Sequence, residues 1–259
     1  MLDLYLTILI YFFAFGLFGW VLSLALKNVT HVDSMWALFP LLGMLVCIQS
    51  FPLNMMQVLF FFLILLWSLR LFAYLTKRNW GKQEDNRYQV IRNNNEPFFK
   101  YKSLYIVFWL QALMASVLML SIIPIFINDI PLNTLSIIGL IVGFFGLAYE
   151  TIADWQLSKF LKSKKVGVMN QGLWGYSRHP NYFGEFLVWW GIFTISFNGT
   201  FSITLLSPIL MSLLLFKVSG AELLESTIVD RRPGYDLYIK QTSMSVSYTH
   251  LTLPTILLV

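Results

Sequence analysis

The sequence predicts an all-α protein, a polytopic bundle of about seven transmembrane helices. Of its 259 residues, 57% are hydrophobic and only 12% are charged, whereas a soluble domain carries about 25% charged residues. Its apolar runs are long enough to cross a bilayer, which takes about 20 helical residues. Its basic residues all fall in, or close to, connections that belong to one side of the membrane. Together these observations exclude an ordinary water-soluble domain.

The predicted spans follow runs that carry few or no charges. Five of them cover residues 4–26, 35–49, 53–75, 103–127 and 130–154. A further stretch, residues 186–216, has 31 residues without a charge and is too long for one ordinary span. Asn198-Gly199 in its middle is a strong turn signal, which predicts two helices joined by a tight turn. The spans must be helices because hydrocarbon offers the backbone no hydrogen-bond partner, and these runs lack the alternation of a β-barrel.

The positions of lysine and arginine predict the orientation. All 18 basic residues lie in, or close to, the connections after the first, third, fifth and seventh spans. An excess of basic residues marks the cytoplasmic side, so the N-terminus is predicted outside and the C-terminus in the cytoplasm. The same asymmetry accounts for the net charge of +5 as a topology signal, and no nucleic-acid partner is predicted.

We interpret residues 1–244 as a single membrane-embedded domain, because no polar linker separates two apolar blocks. Residues 245–259 form an atypical tail, rich in serine and threonine with an apolar end. The tail is too short to span a bilayer, and we interpret it as not native to this fold. Cys47 is the only cysteine, which excludes an intramolecular disulfide and a cysteine-based zinc cluster.

Ionisable side chains inside membrane helices are costly, and they indicate functional sites by default. Six of them lie at predicted helix ends or just inside, namely Asp33, Arg70, Glu150, Asp154, Glu185 and Glu222. The alternative interpretation of each is a structural ion pair or a side chain that reaches the membrane surface.

The segment GLWGYSRHPNYFGE, residues 172–185, is the densest in polar and aromatic side chains. Pro180 favours the start of a helix, whose free amides would attract an anion such as a pyrophosphate. The candidate ligands in this segment are Tyr176, Arg178, His179, Asn181, Tyr182 and Glu185. Asn181 and Glu185 are four residues apart and share one helix face, where they could hold an adenosine or ribose. The structural alternative is an interfacial aromatic belt.

Three further polar clusters are predicted at the same membrane boundary. Arg70, Tyr74 and Arg78 recur every four residues and form one stripe on the third span. Glu150 and Asp154 are also four apart on the fifth span. Arg231, Arg232 and Tyr235 mark a basic turn in the C-terminal region. All four clusters together predict a cofactor pocket open to the cytoplasm.

The segment SRHPNYFGE, preceded by ETIADWQLSKF and followed by RRPGYDLYIKQTS, resembles the DUF1295 family, which is related to the steroid 5-alpha-reductase C-terminal domain and the sterol reductases. VDSMWALF and LWSLRLFAYLTKR fit the same resemblance. It covers residues 32–243 and is strongest over residues 130–244. It implies a bacterial inner-membrane protein that uses NADPH to reduce a carbon–carbon double bond in a lipid.

The resemblance also implies roles for individual residues. Asn181, Tyr182, Glu185 and Asp154 look like cofactor contacts, and Arg70, Tyr74 and Arg78 look like the stripe that faces the nicotinamide and phosphates. Asp33 is similar in placement to an acid that polarises a substrate carbonyl. Trp67 stands where the tyrosine beside that acid is expected.

The function predicted first is therefore an NADPH-dependent membrane oxidoreductase that acts on a steroid, isoprenoid or enoyl lipid. The phosphates of NADPH would be bound by five arginines, since arginine binds phosphate bidentately. These are Arg70, Arg78, Arg178, Arg231 and Arg232. Asp33 and Tyr74 are the candidate proton donors.

Two other functions stay open. One is a membrane methyltransferase of the isoprenylcysteine carboxyl methyltransferase kind, which binds S-adenosylmethionine and carries a similar Arg-His-Pro-x-Tyr segment. The other is a transporter or structural membrane protein. A transporter would tend to show internal repeats and polar residues near the midplane, whereas here the polar residues crowd one side.

Overall fold

The computed structural model describes residues 1–163, 167–197, 203–218, 220–229 and 232–245. Within these ranges the chain is helical, with short 3-10 and π turns and no strand. The α-helices are α1 (Leu2–Leu26), α2 (Val32–Trp36), α3 (Leu38–Ser50), α4 (Met55–Asn79), α5 (Asn86–Asn93), α6 (Phe99–Ser103), α7 (Leu110–Ile127), α8 (Thr134–Lys162), α9 (Pro180–Ser196), α10 (Leu206–Leu213), α11 (Ala221–Ile228) and α12 (Tyr235–Gln241). The predicted all-α class is confirmed.

Five helical segments are long and apolar enough to cross a membrane, and they match the first five predicted spans. They are Leu2–Leu26, Val32–Ser50, Met55–Asn79, Phe99–Ile127 and Thr134–Lys162. The regions predicted as the sixth and seventh spans contain α9, with 17 residues, and the shorter apolar segment Ile203–Lys217. The turn predicted at Asn198-Gly199 lies outside the described residues. The total of seven spans and the orientation stay predictions.

The span boundaries differ from the predicted ones where polar residues continue a helix. The second segment begins at Val32 and therefore includes Asp33. The fourth begins at Phe99 and passes through a π turn, Leu104–Trp109. The fifth, α8, has 29 residues and so measures about 43 Å at 1.5 Å per residue. It thus extends beyond an average hydrocarbon core.

The described chain divides into two compact units. The first unit comprises residues 1–144 and 189–211, and the second comprises residues 145–188 and 212–259 in their described parts. The single domain predicted over residues 1–244 stays a prediction, and most of the tail, residues 246–259, lies outside the described residues.

The first unit is a bundle in which α1, α3 and α7 pack against one another and α3 also packs on α4. Its core is aromatic: Phe12 and Phe39 meet edge to face with ring centroids 5.0 Å apart. A polar link fixes the start of α4, because Asn54 and Gln57 form a capping box. Gln57 also donates to the backbone oxygen of Ile125 at 3.1 Å, and so joins α4 to the end of α7.

The second unit brings α8 and α9 into backbone contact at a glycine. A Cβ atom on Gly184 would lie 2.6 Å from the backbone nitrogen of Glu150, closer than real Cβ contacts allow. Small residues of this kind let membrane helices approach closely. The first turns of α9, which carry Asn181 and Glu185, are therefore held against the half of α8 that carries Glu150.

Candidate functional site

Residues 172–185, the segment with most of the predicted site residues, are joined to α8 by hydrogen bonds at their N-terminal end. Gly172 has a left-handed φ of 61° and opens a 3-10 turn, Gly172–Gly175. The backbone nitrogen of Leu173 donates to Gln156 Oε1 at 3.0 Å. Trp174 Nε1 donates to the backbone oxygen of Ala153 at 3.0 Å. These bonds place the loop directly over the C-terminal half of α8.

α9 begins at Pro180, as predicted. The Ser177 hydroxyl accepts a hydrogen bond from the backbone nitrogen of His179 at 3.1 Å and donates to the backbone oxygen of Met244. Ser177 thereby ties the residues just before α9 to the C-terminal segment. Tyr238 contributes a second tie, because its hydroxyl donates to the backbone oxygen of Trp174.

Arg178, His179 and Glu225 form a buried ion-paired cluster, which we call the Glu225 clamp. Arg178 Nε and Nη2 donate to the two oxygens of Glu225 at 2.7 and 3.0 Å. His179 Nε2 lies 2.7 Å from Glu225 Oε1. The exposed fractions of the Arg178, His179 and Glu225 side chains are 8%, 2% and 12%. Burial alone would raise the pKa of Glu225, but the hydrogen bonds from His179 and Arg178 outweigh it and lower this pKa to about 2.

Arg178 also binds the backbone of α12 and of the residues that follow it. Its Nη1 donates to the backbone oxygens of Ile239 and Thr242 at 3.2 and 2.5 Å. Its backbone nitrogen donates to the backbone oxygen of Ser243 at 2.9 Å. Arg178 was predicted to bind a phosphate, and its guanidinium is instead engaged with protein groups on three nitrogens. That it binds a cofactor stays a prediction.

The remaining predicted residues of the second unit differ in burial. Glu150, Asp154 and Glu185 are buried, with exposed fractions of 2%, 4% and 7%. Asn181 is half-buried, and its Oδ1 atom is buried without a hydrogen-bond partner among the described residues. The ring of Tyr182 stacks on His179 with centroids 5.3 Å apart.

Four predicted residues remain, one in this segment and three in the C-terminal region. Tyr176 is 66% exposed, as an aromatic belt residue would be. Arg232 is half-buried, and Arg231 lies outside the described residues. Tyr235 is buried and packs edge to face on Tyr238. Burial, followed by the negative charge of Glu225, raises the pKa of Tyr235 to about 12.

A second polar centre lies in the first unit, around Asp33. Tyr88 donates its hydroxyl proton to Asp33 Oδ1 at 2.5 Å, and Arg87 Nη2 donates to Asp33 Oδ2 at 2.7 Å. Gln111 Nε2 donates to the Tyr88 hydroxyl oxygen at 3.1 Å. We call these four residues the Asp33 network. Burial, and then the charge of Asp33, raise the pKa of Tyr88 well above its ordinary value, so Tyr88 remains a hydrogen-bond donor.

Backbone contacts fix this network to the start of α2. Asp85 accepts from the backbone nitrogen of Arg87 at 3.0 Å and so caps α5. The backbone nitrogen of Asp85 donates to the Thr30 hydroxyl at 2.9 Å. Arg87 and Tyr88 are therefore held beside Asp33 by the helix cap and by the turn before α2.

The predicted stripe on α4 also belongs to the first unit. Arg70 and Tyr74 are half-buried. Arg78 is 42% exposed, and its guanidinium lies 3.9 Å from Asp33. Because the stripe and the α9 residues belong to different units, the prediction that all four clusters form one pocket stays a prediction.

Trp67, which was expected to stand beside the acid, is instead fully buried and packs edge to face on Trp189 at 5.5 Å.

Sequence reasoning missed the partners of Asp33 and of Arg178. The run Glu84-Asp85-Asn86-Arg87-Tyr88 places two acids, a guanidinium and a phenol in five residues, and that density was a usable signal. Glu225 carried no such signal, because it is one of two acids in a short helix of mixed composition, and nothing in the sequence near it points to Arg178. Among the described residues no group of three or more His, Cys, Asp or Glu side chains could hold a metal ion.

Five long apolar helices define an integral membrane protein of the all-α class. A family model described as "Protein of unknown function (DUF1295)" matches residues 19–242, and the chain therefore belongs to the DUF1295 family. The resemblance carried by the segments around SRHPNYFGE is thus confirmed at the level of the family. No curated protein and no solved structure matches the chain.

Proposed function

We propose that this protein is an NADPH-dependent membrane oxidoreductase that reduces a conjugated carbon–carbon double bond in a lipid-like substrate. The observation that carries the proposal is the Asp33 network. Reduction of such a bond places negative charge on the conjugated oxygen and requires a proton at the neighbouring carbon. Transfer of a methyl group to a carboxylate requires neither.

The Asp33 network suits the first of these tasks. Tyr88 has a buried hydroxyl that keeps its proton. Arg87 brings a positive charge close to this hydroxyl, because both side chains contact the carboxylate of Asp33. Donors fixed in advance around a developing oxyanion typically contribute about 10²–10³-fold to the rate. In this proposal the Tyr88 hydroxyl turns from Asp33 and donates to the substrate oxygen when the substrate binds. Asp33 then stays paired with Arg87, and Gln111 keeps donating to the phenol oxygen. Asp33 and Tyr74, the donors named from the sequence, stay candidates for the protonation itself.

The residues of the second unit fit a nucleotide with many hydrogen-bond donors. Asn181 Oδ1 is a buried acceptor without a described partner, and leaving such an atom unsatisfied costs about 1–3 kcal/mol. An amide or ribose hydroxyl would satisfy it, and Asp154 and Glu185 would add acceptors. Within this unit Arg232 is the candidate for a phosphate, and phosphate binding by Arg70 and Arg78 stays a prediction from the sequence. When bound, NADPH would supply a hydride.

One observation favours the methyltransferase as a second candidate. Three buried carboxylates, Glu150, Asp154 and Glu185, lie in the second unit, while Arg178 is engaged by Glu225. S-adenosylmethionine carries a sulfonium and an ammonium group beside a single carboxylate and has no phosphate, so acids suit it better than a set of arginines does.

Calorimetry on the full chain, purified in mild detergent, tests the two candidates against each other. NADPH should bind saturably, and Asn181→Ala should weaken its binding about tenfold, as expected for one lost buried hydrogen bond. Asn94→Ala removes an exposed amide and should leave the binding unchanged. Saturable binding of S-adenosylmethionine with none of NADPH would replace the reductase by the methyltransferase.

A turnover assay tests the substrate class. We expect loss of NADPH absorbance only when a membrane-soluble enone or enoyl lipid is present in the detergent micelles. Consumption of NADPH that is equally fast with a saturated lipid of the same length would contradict the proposed reaction.

A further inference from the structure

The first unit contains a cavity of about 300 Å³ that is separate from the residues assigned above. It lies between the C-terminal end of α1, the turn that follows it, α5 and the start of α6. Lys27, Arg92 and Lys100 contribute to its wall, together with Val29 and Phe99. No carboxylate is among the described residues that line it. Its volume stands at the lower end of the range for ligand pockets, which suits a headgroup rather than a whole lipid.

Hydrogen bonds and ring contacts hold the walls of this cavity in place. Trp20 Nε1 on α1 donates to the backbone oxygen of Lys100 at 3.0 Å. Arg92 is paired bidentately with Glu84 at 2.7 and 2.8 Å, and its guanidinium lies 4.3 Å from the centre of the Phe99 ring. Glu84 also accepts from the backbone nitrogen of Val29 at 3.0 Å. The cavity is therefore a built feature that connects four segments.

The charge balance of the cavity is positive. Glu84 offsets Arg92, and Glu96 is the other acid whose charge reaches Arg92. Lys27 and Lys100 are exposed, and no ion pair joins either of them to a carboxylate among the described residues. The two ammonium groups are thus available to an anion.

Two buried hydroxyl groups add a second kind of contact. Ser23 donates to the backbone oxygen of Trp20 at 2.6 Å, and Ser103 donates to the backbone oxygen of Lys100 at 3.1 Å. Since both hydroxyl protons are used, the serine oxygens can act as acceptors. A ligand that combines an anionic group with hydroxyl donors would satisfy both the lysines and the serines.

The position of the cavity indicates where such a ligand comes from. Lys27 directly follows the last residue of α1, a helix of 25 residues, and Lys100 lies in the first turn of the segment Phe99–Ile127. Lysines at the end of a span lie at the depth of the lipid phosphates. Leu22 and Leu26, which adjoin the lining residues on α1, are exposed and would pack against acyl chains.

We propose that this cavity binds the headgroup of an anionic, hydroxyl-bearing phospholipid, with its phosphate at Lys27 and Lys100. The proposal does not depend on the reductase activity. It assigns the two lysines to a specific lipid, in addition to their contribution to the general charge asymmetry.

Native mass spectrometry of the full chain, titrated with dioleoyl phosphatidylglycerol or dioleoyl phosphatidylcholine, tests this site. We expect phosphatidylglycerol to be retained preferentially, and the double variant Lys27→Gln/Lys100→Gln to lose at least about tenfold in its affinity. The matched control, Lys102→Gln/Lys159→Gln, removes the same charge from positions outside the cavity. It should stay within about twofold of the unchanged chain. Equal loss in both double variants, or equal retention of both lipids, would overturn the proposal.

Two further measurements complete the test, one on the single variants and one with a soluble competitor. Each single variant, Lys27→Gln and Lys100→Gln, should show an intermediate loss, which provides a measurement if the double variant fails to fold. Glycerol 3-phosphate at millimolar concentration should fail to displace the lipid. Displacement by it would assign the cavity to a soluble phosphate ester and contradict the lipid source.

Discussion

The Asp33 network and the Glu225 clamp use the same pair of groups, an arginine and a carboxylate, in different surroundings. In the clamp, Arg178 and His179 are almost completely buried. Each of the three guanidinium nitrogens of Arg178 donates to a protein oxygen. In the network, Arg87 is 35% exposed, and the carboxylate also accepts from a phenol. The comparison teaches that burial with full pairing indicates a structural role, whereas a partly exposed pair that orients a hydroxyl is suited to binding and chemistry.

The largest effect is expected from breaking the clamp. Glu225→Gln leaves the charge of Arg178 buried without its counter-ion, which typically costs about 3–5 kcal/mol of stability. Thermal unfolding of the detergent-purified chain should show a markedly lower midpoint. Glu222→Gln, an exposed acid on the same helix, should change the midpoint little. Equal midpoints for the two variants would contradict a structural role of the clamp.

The next effect concerns the network. Tyr88→Phe removes the hydroxyl and keeps the ring, so turnover should fall by about 10²-fold while the fold persists. Tyr101→Phe, at a residue 64% exposed, is the control and should keep full turnover. If Tyr88→Phe unfolds the protein but the folded fraction retains its rate, Tyr88 is structural in the same sense as the clamp.

The stability that the Glu225 clamp contributes should depend on pH. The pKa of Glu225 is lowered from an ordinary 4.5 to about 2. A lowered carboxyl pKa stabilises the folded state above the unfolded value, and this contribution is lost as the pH falls toward the folded value. The stability gap between the unchanged chain and Glu225→Gln should therefore be full above pH 5 and shrink steadily toward pH 2. A gap that does not change with pH would contradict this origin.

The smallest effect is expected at Arg78. Its guanidinium lies 3.9 Å from Asp33 and is 42% exposed, and such surface pairs contribute about 0–1 kcal/mol. Arg78→Gln should leave the unfolding midpoint nearly unchanged. It should weaken NADPH binding in calorimetry if Arg78 binds a phosphate, and Lys82→Gln, in the connection just after α4, should not. Unchanged NADPH affinity in Arg78→Gln would remove Arg78 from the proposed cofactor site.

Much of the fold could be predicted because membrane helices are specified locally. Long apolar runs predicted five segments of sufficient length, and Pro180 predicted the start of α9, since its fixed φ suits a first helical turn. The ends of α4 and α8 were predicted too early, because both helices continue through charged residues that water can solvate. A hydropathy pattern marks where the hydrocarbon ends, and a helix need not end there.

Less of the site could be predicted, because its partners are distant in sequence. Arg178, Asn181 and Glu185 were recognisable as a polar segment, but the engagement of Arg178 by Glu225 spans 47 positions. The resemblance pointed to position 67 on the third span for a tyrosine beside Asp33, whereas the tyrosine that contacts Asp33 is Tyr88, 55 positions away. A single sequence does not indicate which of its distant side chains contact each other.

The sequence by itself determined that the chain is a helical membrane protein of the DUF1295 family, because apolar length and the residues around SRHPNYFGE are local features. Only the tertiary structure decided which charges are paired. It assigned Arg178 and His179 to Glu225, and Arg87 and Tyr88 to Asp33. The physical reason is that a buried charge is stable only beside a specific partner, and packing alone selects that partner.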